Sequence, residues 1–145
     1  MAVTIDPATL VSSYRRRAYG VGAAVTAVAV GGTLWAVLKG GSADQSQLDS
    51  LGYVAGACLI VGAALYGWLV PSRIKAGGTG LPFAMASIPL LYAFWSGIPL
   101  LVGAAAILVG TAHRGAAGPK RGRALAAILI GALVALLNLA AILIG

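Results

Sequence analysis

The sequence predicts an all-α fold, a polytopic transmembrane helical bundle, on three observations. Hydrophobic residues make up 60% of the 145-residue chain and charged residues only 9%, where a soluble domain carries about half and a quarter. The apolar residues gather into long runs, as membrane helices require. The charges gather between the runs: Lys and Arg total 10 against 3 Asp and Glu, a net charge of +7. A mean hydropathy of +0.97 excludes a soluble globular enzyme and a disordered chain, which needs low hydrophobicity. Loops are brief, so residues 1–145 read as a single membrane domain.

Taken in order, Asp6-Pro7 predicts a helix start, with Asp6 as N-cap and Pro7 at the first position. Val3, Ile5, Leu10 and Val11 suggest that this piece lies on the membrane surface; a frayed tail is the alternative. Arg15-Arg16-Arg17 then precede an apolar run over residues 18–38, longer than the roughly 7–15 residues of a cleaved signal core. It is read as an uncleaved first span. Lys39-Gly40-Gly41-Ser42 ends it, and a polar loop with Asp44 and Asp49 leads to a second span, 51–70, closed by Pro71. Tyr53, Tyr66 and Trp68 near its ends suit interfacial aromatic belts. The following turn holds Arg73 and Lys75. Its Lys75-Ala76-Gly77-Gly78-Thr79-Gly80 lacks the residue order and preceding strand of a phosphate-binding loop, and is read as a flexible turn.

The next apolar run, 81–110, is too long for one crossing. As a straight helix it would extend about 45 Å, against a hydrocarbon core of about 30 Å. Pro82, Pro89 and Pro99 interrupt it. Around Ser96-Gly97, glycine can take the left-handed conformation that ends a helix, and Pro99 suits the first turn of the next. The run is therefore read as a hairpin with legs 81–95 and 98–112, turning at Ser96, Gly97 and Pro99. A last span, 124–144, follows a basic loop, giving five helical segments. The alternative is one long kinked helix and four transmembrane helices.

Charge separates the two. Basic residues of short loops favour the cytoplasmic side. With a cytoplasmic N-terminus, a single crossing leaves five basic residues on each side. A hairpin puts Arg15, Arg16, Arg17, Arg73, Lys75, Arg114, Lys120, Arg121 and Arg123 inside and Lys39 alone outside. Each leg is short for a full crossing, so the legs are thin-membrane spans or a re-entrant pair shielded by the other helices. The nine basic residues are read as topology determinants that touch anionic lipid head groups.

The 21 glycines and many alanines supply small-residue faces that let membrane helices approach closely. Ala23, Ala27 and Gly31 form one such face. Gly52 with Gly56, and Ala63 with Gly67, form others, as do Ala106 with Gly110 and Ala124 with Ala127 and Gly131. Asn138 is the most polar side chain well inside a span, placed for a hydrogen bond between helices; lining a solute path is the alternative. Ser87 and Ser96 are placed to satisfy carbonyls freed by Pro89 and the turn. Cys58 is read as a small packing residue.

Residues 87–137 resemble uncharacterised small actinobacterial-type integral membrane domains, a domain of unknown function. The resemblance is carried by Ser87-Ile88-Pro89, Gly103, Gly110, His113-Arg114, Gly122-Arg123-Ala124-Leu125-Ala126 and Gly131. It implies a proline-containing hairpin, a basic turn and an Ala/Gly-rich helix, and no activity.

There is no glutamate, and the aspartates and His113 lie outside the apolar runs. No catalytic residues, cofactor-binding residues or metal ligands are therefore expected, and no nucleic-acid-reading module is present. The expected function is that of a non-enzymatic accessory or scaffold subunit of the bacterial plasma membrane, acting by helix–helix packing in a homo- or hetero-oligomer. The alternative is an oligomeric channel or transporter for an anion or small solute. An enzyme acting on lipid through His113, Arg114 and aspartate side chains at the interface ranks behind both.

Overall fold

The computed structural model describes residues 7–39, 44–115 and 118–144. It is a bundle of five helices, with no strand among the described residues. Helix α1 is Pro7–Lys39, α2 is Gln45–Lys75, α3 is Leu81–Leu90, α4 is Ile98–His113 and α5 is Pro119–Ile144. Three of them, α1, α2 and α5, are long and apolar enough to cross a membrane.

The long helices outrun their apolar stretches. Among the described residues no separate surface helix precedes the first span: α1 runs unbroken from Pro7, past the three arginines, and Val3, Ile5 and Asp6 lie outside the described residues. Pro71 does not close the second span either. Residues Leu65–Leu69 form a π-helical turn just ahead of it, in which the Val70 N–H bonds back to the Leu65 carbonyl. The widened turn accommodates a proline whose ring and missing N–H would break a regular α-helix. The Ser72 hydroxyl then donates to the Trp68 carbonyl, and the helix continues to Lys75.

The hairpin is present. Its first leg is α-helical only to Leu90, one residue past Pro89; residues Leu91–Ser96 continue as a 3₁₀ helix distorted at Ala93. Pro89 removes one amide from the ladder, and the chain tightens to i→i+3 bonding before it turns. Gly97 takes φ +68° and Pro99 sits in the first turn of α4. At the tip, the Ser96 hydroxyl donates to the Ala93 carbonyl at 2.7 Å and accepts from the Ile98 N–H at 3.3 Å. In the first leg, the Ser87 hydroxyl donates to the Ala84 carbonyl at 2.7 Å.

Helix α4 is the buried centre. Its closest partner is α5, and the two touch backbone to backbone. A methyl group added at Gly131 would lie 2.6 Å from the Gly103 carbonyl oxygen, and one at Gly103 would lie 2.8 Å from the Gly131 carbonyl oxygen. Two turns further on, a methyl at Gly110 would meet the Ala124 carbonyl at 2.8 Å. Ala106, Ala124 and Ala127 on the same seam are fully buried.

The contacts fix the depth of the hairpin tip. Helices α1 and α2 run antiparallel, with Gly22 against Tyr66 and Gly62 against Thr26. Gly97 packs on Ala29, and the Cys58 thiol donates to the Ser96 carbonyl at 2.7 Å. The tip is therefore level with Ala29 and Cys58. At 1.5 Å per residue, α1 continues about 15 Å beyond that level to Lys39, and α2 about 20 Å to Gln45.

The seam carries a direct prediction. Gly131→Ala forces a methyl into the facing backbone and is expected to cost about 1–3 kcal/mol, the usual cost of overpacking. Gly52→Ala, with nothing within 4 Å, is expected to be neutral or stabilising through helix propensity. Thermal unfolding of both variants in detergent checks this.

Candidate functional site

Because the hairpin stops short of the far ends of α1 and α2, it leaves a vestibule above its tip. The space is about 550 Å³, walled by Thr33 and Val37 of α1, Gln47 and Ser50 of α2 and Ile142 of α5, with Trp95 beside the tip. The polar side chains of this wall are partly turned to their own helices. The Thr33 hydroxyl donates to the Val30 carbonyl at 2.8 Å, and that of Ser50 to the Ser46 carbonyl at 2.8 Å.

The floor is held by polar groups from α2. Besides Cys58, the Tyr66 hydroxyl donates to the Leu101 carbonyl at 2.8 Å. Tyr66 is thus no belt residue: it is 2% exposed, because the missing side chain at Gly22 makes room for its ring against α1. The exposed aromatics of α1 and α2 form two levels, whereas the exposed Tyr92 and Trp95 lie on the hairpin between them. Trp35 and Tyr53 lie at one, and Tyr19 and Trp68 at the other. Sixteen residues separate Tyr19 from Trp35 along α1, about 24 Å of helix, with the hairpin tip between the two levels.

On the other side of the hairpin the charges collect. Arg15, Arg16, Arg17, Arg73, Lys75, Arg114, Lys120, Arg121 and Arg123 all belong to one end of the bundle, and Lys39, Asp44 and Asp49 to the other. Arg15 donates to the Tyr19 hydroxyl at 2.9 Å and lies over its ring, and Arg17 lies over Tyr14. At the same end a cleft of about 240 Å³ is lined by Arg73, Thr79, Phe83, Lys120 and Arg123. The ring of His113 bonds the Val109 carbonyl at 3.1 Å, capping α4.

A third space is a groove of about 800 Å³ along α1 and α2, open to the outside and lined by Ala23, Ala27, Gly31, Leu59, Ala63 and Gly67 among others. The structure thus divides the small-residue faces. Gly131 and Asn138 are buried in the bundle, whereas Ala23, Ala27, Gly31, Ala63 and Gly67 face this groove. Gly52 and Gly56 have nothing within 4 Å, since they lie on the part of α2 that rises past the hairpin tip. Inside the bundle α1 instead uses Ala18, Gly22, Ala29 and Thr33, the 3.5-residue seam of left-handed helix packing.

Among the described residues, no three of His, Cys, Asp or Glu come together as metal ligands would. No family model matches the chain, and no curated protein or solved structure is significantly similar to it.

The vestibule makes thiol access position-dependent. Cys58 is fully buried beneath the tip, while Ser50 is exposed on the vestibule wall. A membrane-impermeant maleimide is expected to modify Ser50→Cys (with Cys58→Ala) fully, and native Cys58 to less than about a tenth of that extent, since thiol reactivity requires access. Equal labelling would show that the tip does not close the vestibule.

Proposed function

We propose that the protein is a non-enzymatic accessory or scaffold subunit of a bacterial plasma membrane, and that it acts by receiving a partner's transmembrane helix in the α1–α2 groove. The observation that carries this reading is the groove itself. It presents Ala23, Ala27 and Gly31 on one wall and Ala63 and Gly67 on the other, and a methyl added at Gly31 or Gly67 would touch nothing in the chain. Glycine weakens a helix by roughly 1 kcal/mol relative to alanine. Within the bundle that cost is repaid at Gly103 and Gly131 by close approach, but not at Gly31 or Gly67. A helix laid into the groove could approach both backbones closely, as small-residue interfaces allow in membranes. The basic end faces the cytoplasm on this reading, following the positive-inside rule.

The vestibule favours a second reading, an oligomeric channel or transporter for an anion or small solute. Non-helical backbone at membrane depth occurs where it is buried in protein or lines a cavity, and the hairpin tip beside the vestibule is such a place.

Two experiments separate the readings. Purified in mild detergent from native membranes, the chain is expected to carry a stoichiometric helical partner. Ala27→Leu with Gly31→Leu, which fills the groove from outside, is expected to weaken retention about tenfold or more, equivalent to 1.4 kcal/mol. A lone monomer contradicts the scaffold reading, and solute flux from liposomes holding only this chain supports the second.

A further inference from the structure

The cleft at the basic end brings together charges from distant parts of the sequence. Arg73 comes from the last turn of α2, and Lys120 and Arg123 from the first turns of α5; Thr79 and the backbone of Gly77, Gly78 and Gly80 complete the wall. Three cations lining one small cleft repel one another. The carboxylates of the described residues cannot relieve this: Asp44 and Asp49 lie at the other end of α2, and Arg73 is about 36 Å from Asp49 along that helix. The fold adds positive potential. Helices α3 and α5 both begin beside the cleft, and neither has an acidic residue in its first turn, so two positive dipole ends are left uncompensated.

The turn is built to stay in place. Gly78 donates to the Arg73 carbonyl at 2.8 Å and Gly77 to the Ile74 carbonyl at 3.1 Å, tying the turn to the end of α2. Gly80, at φ +78°, sits so close to α4 that a methyl there would lie 2.7 Å from the Ala106 carbonyl. The wall carrying Thr79 is thus anchored to the same helix whose tip closes the vestibule.

We propose that this cleft binds a single phosphate group. Its three cations match a tetrahedral oxyanion, with the guanidinium groups of Arg73 and Arg123 able to donate in pairs. A volume of about 240 Å³ lies below the roughly 300–1,000 Å³ of a small-molecule pocket, which suits one phosphate with its water and not a nucleotide. Two sources share this chemistry: the head group of an anionic phospholipid, which Phe83 and Pro82 on the apolar rim would flank with acyl-chain contacts, and free inorganic phosphate. The inference stands apart from whatever occupies the α1–α2 groove.

The test uses the full chain. Reconstituted in nanodiscs of phosphatidylcholine with a minor fraction of phosphatidylglycerol, it is released and weighed by native mass spectrometry. In neutral detergent it is titrated with inorganic phosphate by calorimetry. One retained phosphatidylglycerol per chain, or one saturable phosphate site, supports the proposal, and the positive arm identifies the source. Lys120→Gln with Arg123→Gln is expected to lower the positive signal about tenfold or more. Arg15→Gln with Arg16→Gln, an equal charge loss at the same end, is expected to leave it intact, and Arg123→Lys to retain part of it. Circular dichroism confirms that each variant is folded. No signal in either arm from the wild-type chain, or equal loss in both double variants, overturns the proposal.

Discussion

The backbone contact between Gly103 of α4 and Gly131 of α5 is the constraint from which the rest follows. Lipid offers no hydrophobic drive for one apolar helix to leave it for another, so association depends on close packing and polar contacts. Two glycines whose added methyls would each fall under 3 Å from the opposing carbonyl allow an approach that no other residue pair permits. Gly110, packed on Ala124 and Ile128 two turns away, extends the same seam. It locks α4 in the centre of the bundle, and α3 follows because the turn at Gly97 joins the two legs.

A centred but short helix has consequences at both ends. At its start, the non-helical backbone of the turn lies at the depth of Ala29 and Cys58, where water is scarce and each polar group needs a partner. The Ser96 hydroxyl and the Cys58 thiol meet that need within the protein. Above the turn, the longer neighbours enclose the vestibule. At its other end α4 delivers the chain back to the side it came from, and this return places Lys120 and Arg123, in the first turns of α5, beside Arg73.

Much of this could be read from the sequence, and the remainder could not for identifiable reasons. The hairpin was legible because Pro89, Gly97 and Pro99 constrain the backbone locally, and because the distribution of basic residues is lopsided only if the chain turns back. The uninterrupted helix through Pro71 was not legible, since a π-helical turn has no residue signature in Leu65–Leu69. Tyr66 looked like a belt residue because depth along a helix can be counted, whereas the direction it faces depends on neighbours such as Gly22. The same difficulty governs α1. Over residues 18–38 it is apolar on every side, so no polar face tells which small-residue row turns inward. Ala23, Ala27 and Gly31 are as plausible by spacing as Ala18, Gly22 and Ala29, and only the three-dimensional packing assigns the second set to the bundle and the first to the groove.

The central claim is that the hairpin enters the bundle and turns back at mid-depth. Tryptophan fluorescence in bilayers of lipids brominated at defined acyl positions measures it. Three single-tryptophan chains are needed, one keeping Trp35, one keeping Trp68 and one with Tyr92→Trp, since Tyr92 is 88% exposed on the distal part of the hairpin. The structure requires Trp35 and Trp68 to be quenched best by bromines near the head groups and the tryptophan at position 92 by bromines deep in the chain. Quenching at position 92 as shallow as at Trp35 would mean that the hairpin crosses the full bilayer, and would contradict the arrangement described.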